Sequence, residues 1–331
     1  MIRIGINGMG RIGRTLLNQL SHHPELELTA INNPGDHDSY AHLIKYDSVH
    51  GTHPHEVKMS GEKLIVGDKE IHFFSLRDPS EIDWNTHGVD IVIDATGVFK
   101  DKESLSKHLG GSVKKVILCA PGDVDGTFVM GVNHESYDSN KHTIVSNGSC
   151  TTNCLAPIAK ILNEEFSIQN GFMTTIHAYT NDQNILDNSH KDMRRARAGA
   201  LNMIPTSTGA AKALGLVLPE LAGKLDGFAV RVPTPNVSMV DLTINVEKEV
   251  SVEAVNSVLA KASEGNLKGI LGISKAPLVS TDFNGRRESS VQDTGMTNVI
   301  GKTVKVLSWY DNETGFSNRV LDLAKYIGSQ F

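Results

Sequence analysis

The sequence predicts an α/β protein of two domains, in which a parallel-sheet domain is followed by an α+β domain with a mixed or antiparallel sheet. The length of 331 residues exceeds the usual size of one domain. Short apolar strands alternate with amphipathic helices in the first half, which is typical of parallel sheets. Strands of alternating polar and apolar residues follow, for example over residues 171–180 and 237–246. We place the domain border between residues 149 and 150, and the second domain ends at residue 313.

Charge and cysteine content limit the partners and the compartment. The net charge is −6 and no long basic run is present, so neither nucleic acid nor a membrane is expected as the main partner. The cysteines are few and odd in number, Cys119, Cys150 and Cys154, which is typical of a reducing compartment. Residues 1–4 enter a predicted strand directly and leave no room for a targeting segment. We therefore expect a cytoplasmic protein.

Three glycines, Gly8, Gly10 and Gly13, lie between a predicted strand at residues 3–6 and a helix whose apolar face includes Ile12 and Leu16. This G-x-G-x-x-G order is the fingerprint of a dinucleotide-binding, Rossmann-type domain. The first glycine permits a tight turn, the second lets the backbone approach a pyrophosphate, and the third lets the helix pack on the strand. The sequence therefore predicts a dinucleotide cofactor.

The second predicted strand, residues 26–33, ends in Asn33, where NAD-binding proteins usually carry an acid that holds the ribose 2′-hydroxyl. Asparagine can hydrogen-bond a hydroxyl, but it does not repel a 2′-phosphate. It is also a suitable turn residue before Pro34-Gly35, and the two roles are compatible. NADP therefore remains open beside NAD.

Further strands complete the predicted first domain. Residues 63–66 and 71–74 predict a short antiparallel pair, and residues 90–95 and 115–118 predict buried strands. Ligands bind beyond the carboxyl ends of parallel strands, and Thr96, Gly97 and Cys119 occupy such ends. Cys119 is equally compatible with plain core, and Arg77 with either a cofactor contact or a surface ion pair.

Cys150 follows a β-branched strand at residues 143–145 and precedes a helix whose apolar positions run from Leu155 to Leu162. Ser149 is the expected N-cap of that helix. A cysteine at a helix N-terminus is expected to have a lowered pKa and to act as a nucleophile. The alternative is a small buried apolar side chain. Pro157, inside the predicted helix, is expected to kink it.

His177, in the predicted strand at residues 171–180, is the candidate partner of Cys150. A Cys–His pair supplies a nucleophile and a base. The alternative is a histidine that only caps the end of a strand. Most of the 14 histidines of the chain must lie on its surface, so the prediction for His177 depends on its pairing with Cys150.

Two later segments predict an anion site. Hydroxyl residues and Gly209 precede a predicted helix, which suits phosphate binding. Arg231 ends the strand at residues 227–230, and arginine suits bidentate phosphate recognition. The basic cluster at residues 190–197 is most simply a solvated face. These features predict a phosphorylated substrate and allow a second anion as co-substrate. The predicted elements end with a helix at 254–262, a strand at 304–313 and a helix at 316–327.

Together these residues resemble the phosphorylating glyceraldehyde-3-phosphate dehydrogenases over essentially the whole chain. Residues 146–157 resemble the active-site signature of that family, and residues 5–14 resemble its start. Later landmarks are residues 194–197, Thr208-Gly209 and residues 309–313.

The resemblance implies that Cys150 attacks glyceraldehyde 3-phosphate, that His177 takes the proton, and that inorganic phosphate cleaves the thioester formed after hydride transfer to NAD or NADP. It implies that the substrate phosphate binds to Thr180, Arg195 and Arg231, and the attacking phosphate to Ser149, Thr151, Thr208 and Gly209. It implies cofactor contacts by Arg11, Ile12, the residue at position 33, Arg77, Thr96, Cys119 and Asn312. The family fold also returns the C-terminal helix, here residues 314–331, to the nucleotide domain and assembles four subunits. We assign no metal ligands.

Two departures from the family pattern bear on the cofactor. Asn33 stands where the family usually has aspartate, and Asn188-Ser189 stands where NAD-restricted members tend to have Leu-Pro. Members that accept NADP often have a small hydroxyl residue there, so Ser189 joins the predicted cofactor contacts. Our hypothesis is that the enzyme accepts NADP as well as NAD. Phe316 and Gly148 are minor departures.

The same residues allow two other functions. One is dehydrogenation of a related phosphorylated aldose such as erythrose 4-phosphate. The other is a non-catalytic dinucleotide-binding sensor, which would need the glycine fingerprint but not a thiol and an imidazole together.

Overall fold

The computed structural model describes all 331 residues, which form two compact units. Unit 1 comprises residues 1–128, 134–148 and 317–331, and unit 2 comprises residues 129–133 and 149–316. The short segment 129–133 therefore belongs to unit 2 although it precedes the main border in the chain. No feature of the sequence indicated this exchange.

Unit 1 is built on a nine-stranded sheet, here called sheet 1. The strands of the unit are β1 (Ile2–Asn7), β2 (Leu26–Asn32), β3 (Tyr46–Asp47), β4 (Gly51–Thr52), β5 (Val57–Ser60), β6 (Lys63–Val66), β7 (Lys69–Phe74), β8 (Ile91–Asp94), β9 (Lys115–Leu118), β10 (Gly126–Thr127) and β11 (Ile144–Ser146). Its helices before the border are α1 (Arg11–Gln19), α2 (His37–Lys45) and α3 (Lys102–Ser106). The order in sheet 1 is β10-β11-β9-β8-β1-β2-β7-β6-β5, while β3 and β4 pair separately.

Sheet 1 is parallel except at one edge. β1 pairs in parallel with β2 and β8, and β8 pairs in parallel with β9. β6 pairs antiparallel with β7, as the sequence predicted. In register, Asn7 faces Asp94 and Asp94 faces Leu118, so the carboxyl ends of β1, β8 and β9 form one edge. The residues that follow these strands, among them Gly8, Thr96 and Cys119, therefore start from the same edge.

Unit 2 is an α+β unit on an eight-stranded sheet, here called sheet 2. Its strands are β12 (Ile168–Ala178), β13 (Ile204–Ser207), β14 (Leu225–Val232), β15 (Ser238–Val246), β16 (Leu271–Ser274), β17 (Ser290–Asp293), β18 (Asn298–Ile300) and β19 (Thr303–Tyr310). Its helices are α4 (Cys150–Phe166), α5 (Ala210–Val217) and α6 (Val252–Glu264). β12 pairs in parallel with β14 and antiparallel with β15, so the sheet is mixed, as predicted.

α4 is the central helix of unit 2. Ser149 caps it, because its hydroxyl accepts the backbone N–H of Thr152 at 3.0 Å. Apolar residues along the helix, including Leu155 and Leu162, are buried in the main core cluster of the unit. The helix continues through the buried Pro157 as a single element of 17 residues. The contacts of the helix with the core offset the loss of the backbone hydrogen bond that Pro157 cannot donate.

The last helix, α7 (Thr314–Gly328), begins in unit 2 and belongs to unit 1 from residue 317 onward. It packs on the first strand, since a Cβ at Gly328 would lie 2.4 Å from Ile2. Lys325 forms an ion pair with Glu25. None of the helices combines the length and apolar character needed to cross a membrane.

Candidate active site

Cys150 and His177 meet in unit 2. Cys150 is the first residue of α4, and His177 is the last but one residue of β12. The Sγ atom lies 3.5 Å from Nε2 of the imidazole, which is within hydrogen-bonding reach for sulfur. His177 is only 5% exposed, so it does not simply cap a strand end at the surface. The imidazole is therefore close enough to accept the thiol proton, as the predicted pairing of a nucleophile with a base requires.

The backbone fixes the tautomer of His177. Its Nδ1 lies 2.6 Å from the carbonyl oxygen of Ala178, and a carbonyl can only accept a hydrogen bond. Nδ1 therefore carries the ring proton, and in the neutral ring Nε2 has a free lone pair directed at the thiol of Cys150. This is the tautomer required for a base that accepts the thiol proton.

The expected lowering of the Cys150 pKa is wrong for this structure. Burial of the thiol raises its pKa, while the charge of Arg231 and hydrogen bonds from Thr151 act in the opposite direction without overcoming it. The helix N-terminus was the whole basis of the sequence argument, which did not include the desolvation of the thiolate. The thiol is therefore protonated at neutral pH until a base removes its proton.

Burial, together with the positive charge of Arg231, lowers the pKa of His177 to about 3. The imidazole is neutral at pH 7 as a result. Burial thus favours the neutral form of each group, a thiol on Cys150 and an imidazole on His177. A neutral imidazole is able to accept the thiol proton during attack.

Arg231, near the end of β14, lies beside this pair. Its Nη1 donates to the carbonyl oxygen of Ala178 at 3.2 Å, to Thr180 Oγ1 at 3.3 Å and to Gln183 Oε1 at 3.4 Å. Two buried donors, Nε of Arg231 and Nε2 of Gln183, have no hydrogen-bond partner in the chain. Buried N–H groups without acceptors are costly, and they are suited to an anion.

Gln183 is a residue that the sequence analysis missed. It lies in a loop after β12, without a motif or a regular element to mark it. Its side chain also accepts the backbone N–H of Thr180 at 3.0 Å. Only the fold of the loop brings it to Arg231, so no sequence signal could have indicated it.

Arg195 is held by several hydrogen bonds of its own. It donates from Nε to Thr206 Oγ1 at 2.9 Å, from Nη1 to Asp182 Oδ2 at 2.5 Å and from Nη2 to the Ser207 carbonyl at 3.2 Å. The positive charge of Arg195 lowers the pKa of both His177 and Arg231, so Arg195 lies near these two residues in unit 2. The interpretation of the 190–197 cluster as only a solvated face therefore does not apply to this arginine.

The remaining predicted phosphate residues begin two helices. Thr151, in the first turn of α4, hydrogen-bonds the hydroxyl of Tyr310 at 2.9 Å, and Tyr310 in turn bonds Thr175 at 2.7 Å. Tyr310 was not singled out by the sequence analysis. Gly209 is exposed and precedes α5 without a side-chain cap, and Thr208 Oγ1 accepts the Ala210 N–H at 3.3 Å. No hydrogen bond links Thr208 or Gly209 to the Cys150–His177 pair.

The glycine loop of unit 1 has the shape that a pyrophosphate requires. Gly8 has φ +97°, and a Cβ there would lie 2.8 Å from the backbone nitrogen of Thr96. A Cβ at Gly13 would lie 1.9 Å from the carbonyl oxygen of Gly8. A Cβ at Gly10 would meet nothing within 4 Å, and no side chain caps α1. Open space thus lies beside the second glycine and the free N–H groups of the helix, which fits a dinucleotide.

The other predicted cofactor residues of unit 1 differ in how they are engaged. Asn33 is partly buried, its Oδ1 accepts the Met9 N–H at 2.8 Å, and its Nδ2 donates to the Pro34 carbonyl at 2.9 Å. Thr96 Oγ1 donates to Asp94 at 2.7 Å. Arg77 is exposed and forms no ion pair within the chain, so the structure does not show the surface ion pair that was the alternative to a cofactor contact.

Arg11, Ile12, Gly97 and Cys119 complete that set. Arg11 forms a two-pronged ion pair with Asp47, with distances of 2.5 and 3.2 Å. Ile12 is partly buried in the first turn of α1, and Gly97 is exposed. Burial and the nearby Asp94 raise the pKa of the Cys119 thiol well above its ordinary range, so this cysteine is not a nucleophile.

Two predicted cofactor residues belong to unit 2. Ser189 is exposed, and its backbone N–H bonds the side chain of Asn188 at 2.8 Å. Asn312 is 6% exposed, and its Oδ1 accepts the hydroxyl proton of Ser238 at 2.9 Å. Ser238 is the third residue that the sequence analysis did not single out.

Comparison with known proteins decides the family. Residues 2–102 match the model of the glyceraldehyde 3-phosphate dehydrogenase NAD binding domain, and residues 149–312 match that of the C-terminal domain. The chain belongs to the glyceraldehyde-3-phosphate dehydrogenase family. Similar relatives bearing that name come from Bacillus cereus, at 59% identity over 100% of this chain and 99% of the relative, and from Geobacillus stearothermophilus, at 56% over 99% of each. A relative from a Nostoc species is 52% identical over 100% of both chains.

The two family models separate the predicted cofactor-binding residues of unit 1 from the predicted catalytic residues of unit 2, as the structure does. The NAD binding model covers β1, the glycine loop and β8 in unit 1. The C-terminal model begins at residue 149, immediately before Cys150, and covers His177, Arg195 and Arg231. The predicted nucleophile, base and anion-binding arginines thus all lie in the part that matches the C-terminal model.

Proposed function

We propose that this chain catalyses the reversible, phosphate-dependent oxidation of glyceraldehyde 3-phosphate to 1,3-bisphosphoglycerate, with NAD or NADP as cofactor. The relatives named above bear the name of this dehydrogenase, and their similarity to this chain extends over almost the whole length of each. The observation that carries the proposal is the 3.5 Å contact between Cys150 Sγ and His177 Nε2, in the tautomer that accepts a proton. A sensor without catalytic function would not need this pair.

The chemistry assigned to the pair follows from its protonation states. Sγ of Cys150 attacks the aldehyde carbon and forms a thiohemiacetal, while His177 Nε2 takes the thiol proton. The resulting imidazolium stabilises the oxyanion, and after the oxidation Cys150 holds the acyl group as a thioester. Inorganic phosphate attacks the thioester carbon, the C–S bond breaks to give the acyl phosphate, and the sulfur of Cys150 takes its proton back from the His177 imidazolium. When bound, the nicotinamide cofactor supplies the hydride acceptor.

Two groups of residues are proposed to hold the phosphates. Arg231, Thr180 and Arg195 bind the phosphate of the substrate, and the partnerless Nε of Arg231 and Nε2 of Gln183 support an anion there. Ser149, Thr151, Thr208 and Gly209 bind the attacking phosphate. The first turn of α5 supports the second site, because its N-cap, Gly209, has no side chain to accept the N–H groups there, and free N–H groups at a helix N-terminus favour anions.

The dinucleotide is proposed to bind the edge of sheet 1 formed by the ends of β1, β8 and β9. The residues that would hold it are Gly8, Gly10, Arg11, Ile12, Gly13, Asn33, Arg77, Thr96, Gly97 and Cys119, together with Ser189 and Asn312 of unit 2. Because Asn33 is neutral and already bonded to Met9 and Pro34, it places no negative charge against a 2′-phosphate. We therefore propose that the enzyme turns over NADP as well as NAD.

The proposed assembly is a homotetramer in the cytoplasm. The loop at residues 180–203 exposes large apolar side chains that a single chain leaves uncovered. Their exposed fractions are 84% at Ile185, 73% at Leu186, 82% at Met193, 78% at Leu201 and 75% at Met203. Such clusters mark association surfaces. Light scattering coupled to size-exclusion chromatography tests the proposed tetramer, and the mass of a monomer would contradict it.

The reaction is tested by following acyl phosphate and reduced cofactor with glyceraldehyde 3-phosphate, with and without inorganic phosphate. We expect acyl phosphate only when phosphate is present. Erythrose 4-phosphate serves as the competing substrate, and faster turnover on that sugar would favour the alternative. Cys150→Ser is the control, because it should bind NAD like the unaltered enzyme and produce no product. Activity in that variant would refute the thioester route.

A further inference from the structure

The hydroxyl of Ser238 joins two parts of the proposed site that sheet 2 otherwise keeps apart. Ser238 is the first residue of β15 and is 1% exposed. Its Oγ accepts the backbone N–H of Ala178 at 3.0 Å and donates to Oδ1 of Asn312 at 2.9 Å. A single buried hydroxyl thus bonds the end of β12 and the segment that follows β19.

The direction of each hydrogen bond follows from the groups involved. The Ala178 N–H can only donate, so the oxygen of Ser238 is the acceptor there, and its single proton is free to go to Asn312. Oδ1 of Asn312 must then face Ser238, and Nδ2 faces the opposite way. The bond of Oδ1 to Ser238 is the hydrogen bond that the Asn312 side chain makes within the chain, and Nδ2 makes none. The amide of Asn312 therefore presents a free N–H donor whose orientation Ser238 sets.

As an acceptor, the Ser238 hydroxyl holds Ala178, the residue whose carbonyl orients the ring of His177. The carbonyl oxygen of Ala178 accepts Nδ1–H of His177 at 2.6 Å and Nη1–H of Arg231 at 3.2 Å. The pairing of β12 with β15 ends at Ile176 and Met239, so Ala178 lies just beyond that ladder. The side chain of Ser238, and not the backbone of β15, secures its N–H.

The residue before Ser238 is strained. Val237 has φ +67°, which is rare for a β-branched residue, and it is buried at 3% exposure beside Phe283, Val291 and Trp309. Such strain persists only where the surroundings enforce it, and it is found at sites that need a specific geometry. Here the strained turn is what delivers Ser238 to its two partners.

We propose that Ser238 is a positioning residue that acts on both reacting partners of the proposed reaction. Through Asn312 it aims an amide N–H donor at a carbonyl acceptor, of the kind that the carboxamide of a nicotinamide ring supplies. Through Ala178 it keeps the ring of His177 directed at Cys150. The inference rests on the proposed function, because a nicotinamide cofactor gives the N–H of Asn312 its role.

The experiment uses the full-length enzyme and Ser238→Ala, Ser238→Thr and Asn312→Ala. NAD binding is measured by calorimetry without substrate, and alkylation of Cys150 by iodoacetamide is followed by mass spectrometry against pH without cofactor. The loss of one hydrogen bond predicts about fivefold weaker NAD binding and about fivefold slower alkylation at pH 7 for Ser238→Ala. Ser238→Thr, which keeps the hydroxyl, should restore both values.

A double variant separates positioning from a general structural effect. If Ser238 acts on NAD through Asn312, adding Ser238→Ala to Asn312→Ala should weaken NAD binding no further, while the alkylation defect should persist. The matched control is Ser308→Ala, which removes another buried hydroxyl of sheet 2, paired with Ser290 at 2.7 Å. Its NAD affinity and alkylation profile should equal those of the unaltered enzyme.

Three results would overturn the inference: unchanged NAD binding and alkylation in Ser238→Ala, full additivity in the double variant, or equal defects in Ser308→Ala. If Ser238→Ala does not fold, Ser238→Cys replaces it in the binding measurement, because a thiol donates weakly, and an affinity equal to that of the unaltered enzyme would again contradict us. Failure of the proposed function is distinct, since the unaltered enzyme would then form no acyl phosphate from glyceraldehyde 3-phosphate and inorganic phosphate.

Discussion

The Nδ1 atom of His177 is bonded to the carbonyl oxygen of the next residue in the chain, Ala178, at 2.6 Å. This bond needs no third residue to select the tautomer of the base. Many Cys–His and Ser–His sites use a separate side chain for this task. Here the backbone at the end of β12 performs it, and the lone pair of Nε2 is left for the thiol of Cys150 at 3.5 Å.

The first prediction concerns the base itself. His177→Asn removes the proton acceptor, so kcat should fall by about 10²–10⁴-fold, the usual contribution of a general base. NAD affinity should not change, because no proposed cofactor residue is altered. Steady-state rates and calorimetry check the two halves separately. Turnover within a few-fold of the unaltered enzyme would show that Cys150 is activated in another way.

The second prediction concerns acid stability. The folded-state pKa of His177 is lowered to about 3 by burial, from the ordinary 6.5 of the unfolded chain. Between pH 6.5 and 3, His177 is protonated in the unfolded chain but not in the folded chain. The free energy of unfolding therefore decreases as the pH falls through this range. The slope that it contributes approaches about 1.4 kcal/mol per pH unit.

Denaturant unfolding of the enzyme at several pH values between 3 and 6.5 measures this slope. His177→Asn should show a shallower dependence on pH than the unaltered enzyme, because asparagine does not titrate. His190→Asn is a suitable control, since that histidine is less buried and remains within 3.3 Å of Asp182. Equal slopes in the unaltered enzyme and His177→Asn would contradict the assignment.

Much of this architecture follows from local patterns. The glycine loop, the N-cap at Ser149 and the strand that carries His177 were predicted, because each is encoded by a few neighbouring residues with a clear physical role. Gln183, Ser238 and Tyr310 were not. Their roles depend on contacts between segments that are distant in the chain, such as Ser238 with Asn312. Spacing along one segment cannot indicate such contacts.

The pKa of Cys150 shows the same limit from another side. The helix N-terminus is visible in the sequence and argues for a lowered pKa. The burial that raises the pKa depends on how the complete unit packs around the sulfur. A local signal therefore predicted the position of Cys150 at the start of a helix correctly and the direction of its pKa shift wrongly.

The third prediction concerns Arg231. Its Nη1 makes three hydrogen bonds, its Nε is buried without a partner, and its charge lowers the pKa of Cys150. Arg231→Lys keeps the charge and loses the planar set of donors. We expect KM for glyceraldehyde 3-phosphate to rise about tenfold or more, as for the loss of a charged hydrogen bond. Alkylation of Cys150 at pH 7 should change much less.

Arg231→Ala is the companion variant, because it removes the donors and the charge together. It should raise KM at least as far as Arg231→Lys, and it should also slow the alkylation of Cys150, since the pKa of the thiol then rises further. Substrate kinetics and the alkylation rate against pH distinguish the two variants. If Arg231→Lys and Arg231→Ala left KM unchanged, the substrate phosphate would have to bind elsewhere.

The fourth prediction concerns Asn33 and the choice of cofactor. Asn33→Asp keeps an oxygen that can accept the Met9 N–H, but it loses the donor to the Pro34 carbonyl and adds a negative charge. That charge would face a 2′-phosphate and would accept a hydrogen bond from a 2′-hydroxyl. The ratio of kcat/KM for NADP to that for NAD should therefore fall about tenfold or more, because like charges a few ångströms apart cost about 1–4 kcal/mol.

Asn140→Asp is the matched control, since it adds the same charge at an exposed position of unit 1 and should leave the ratio unchanged. A ratio that falls equally in both variants would indicate a general effect of net charge, and a ratio unchanged in Asn33→Asp would remove Asn33 from the cofactor site.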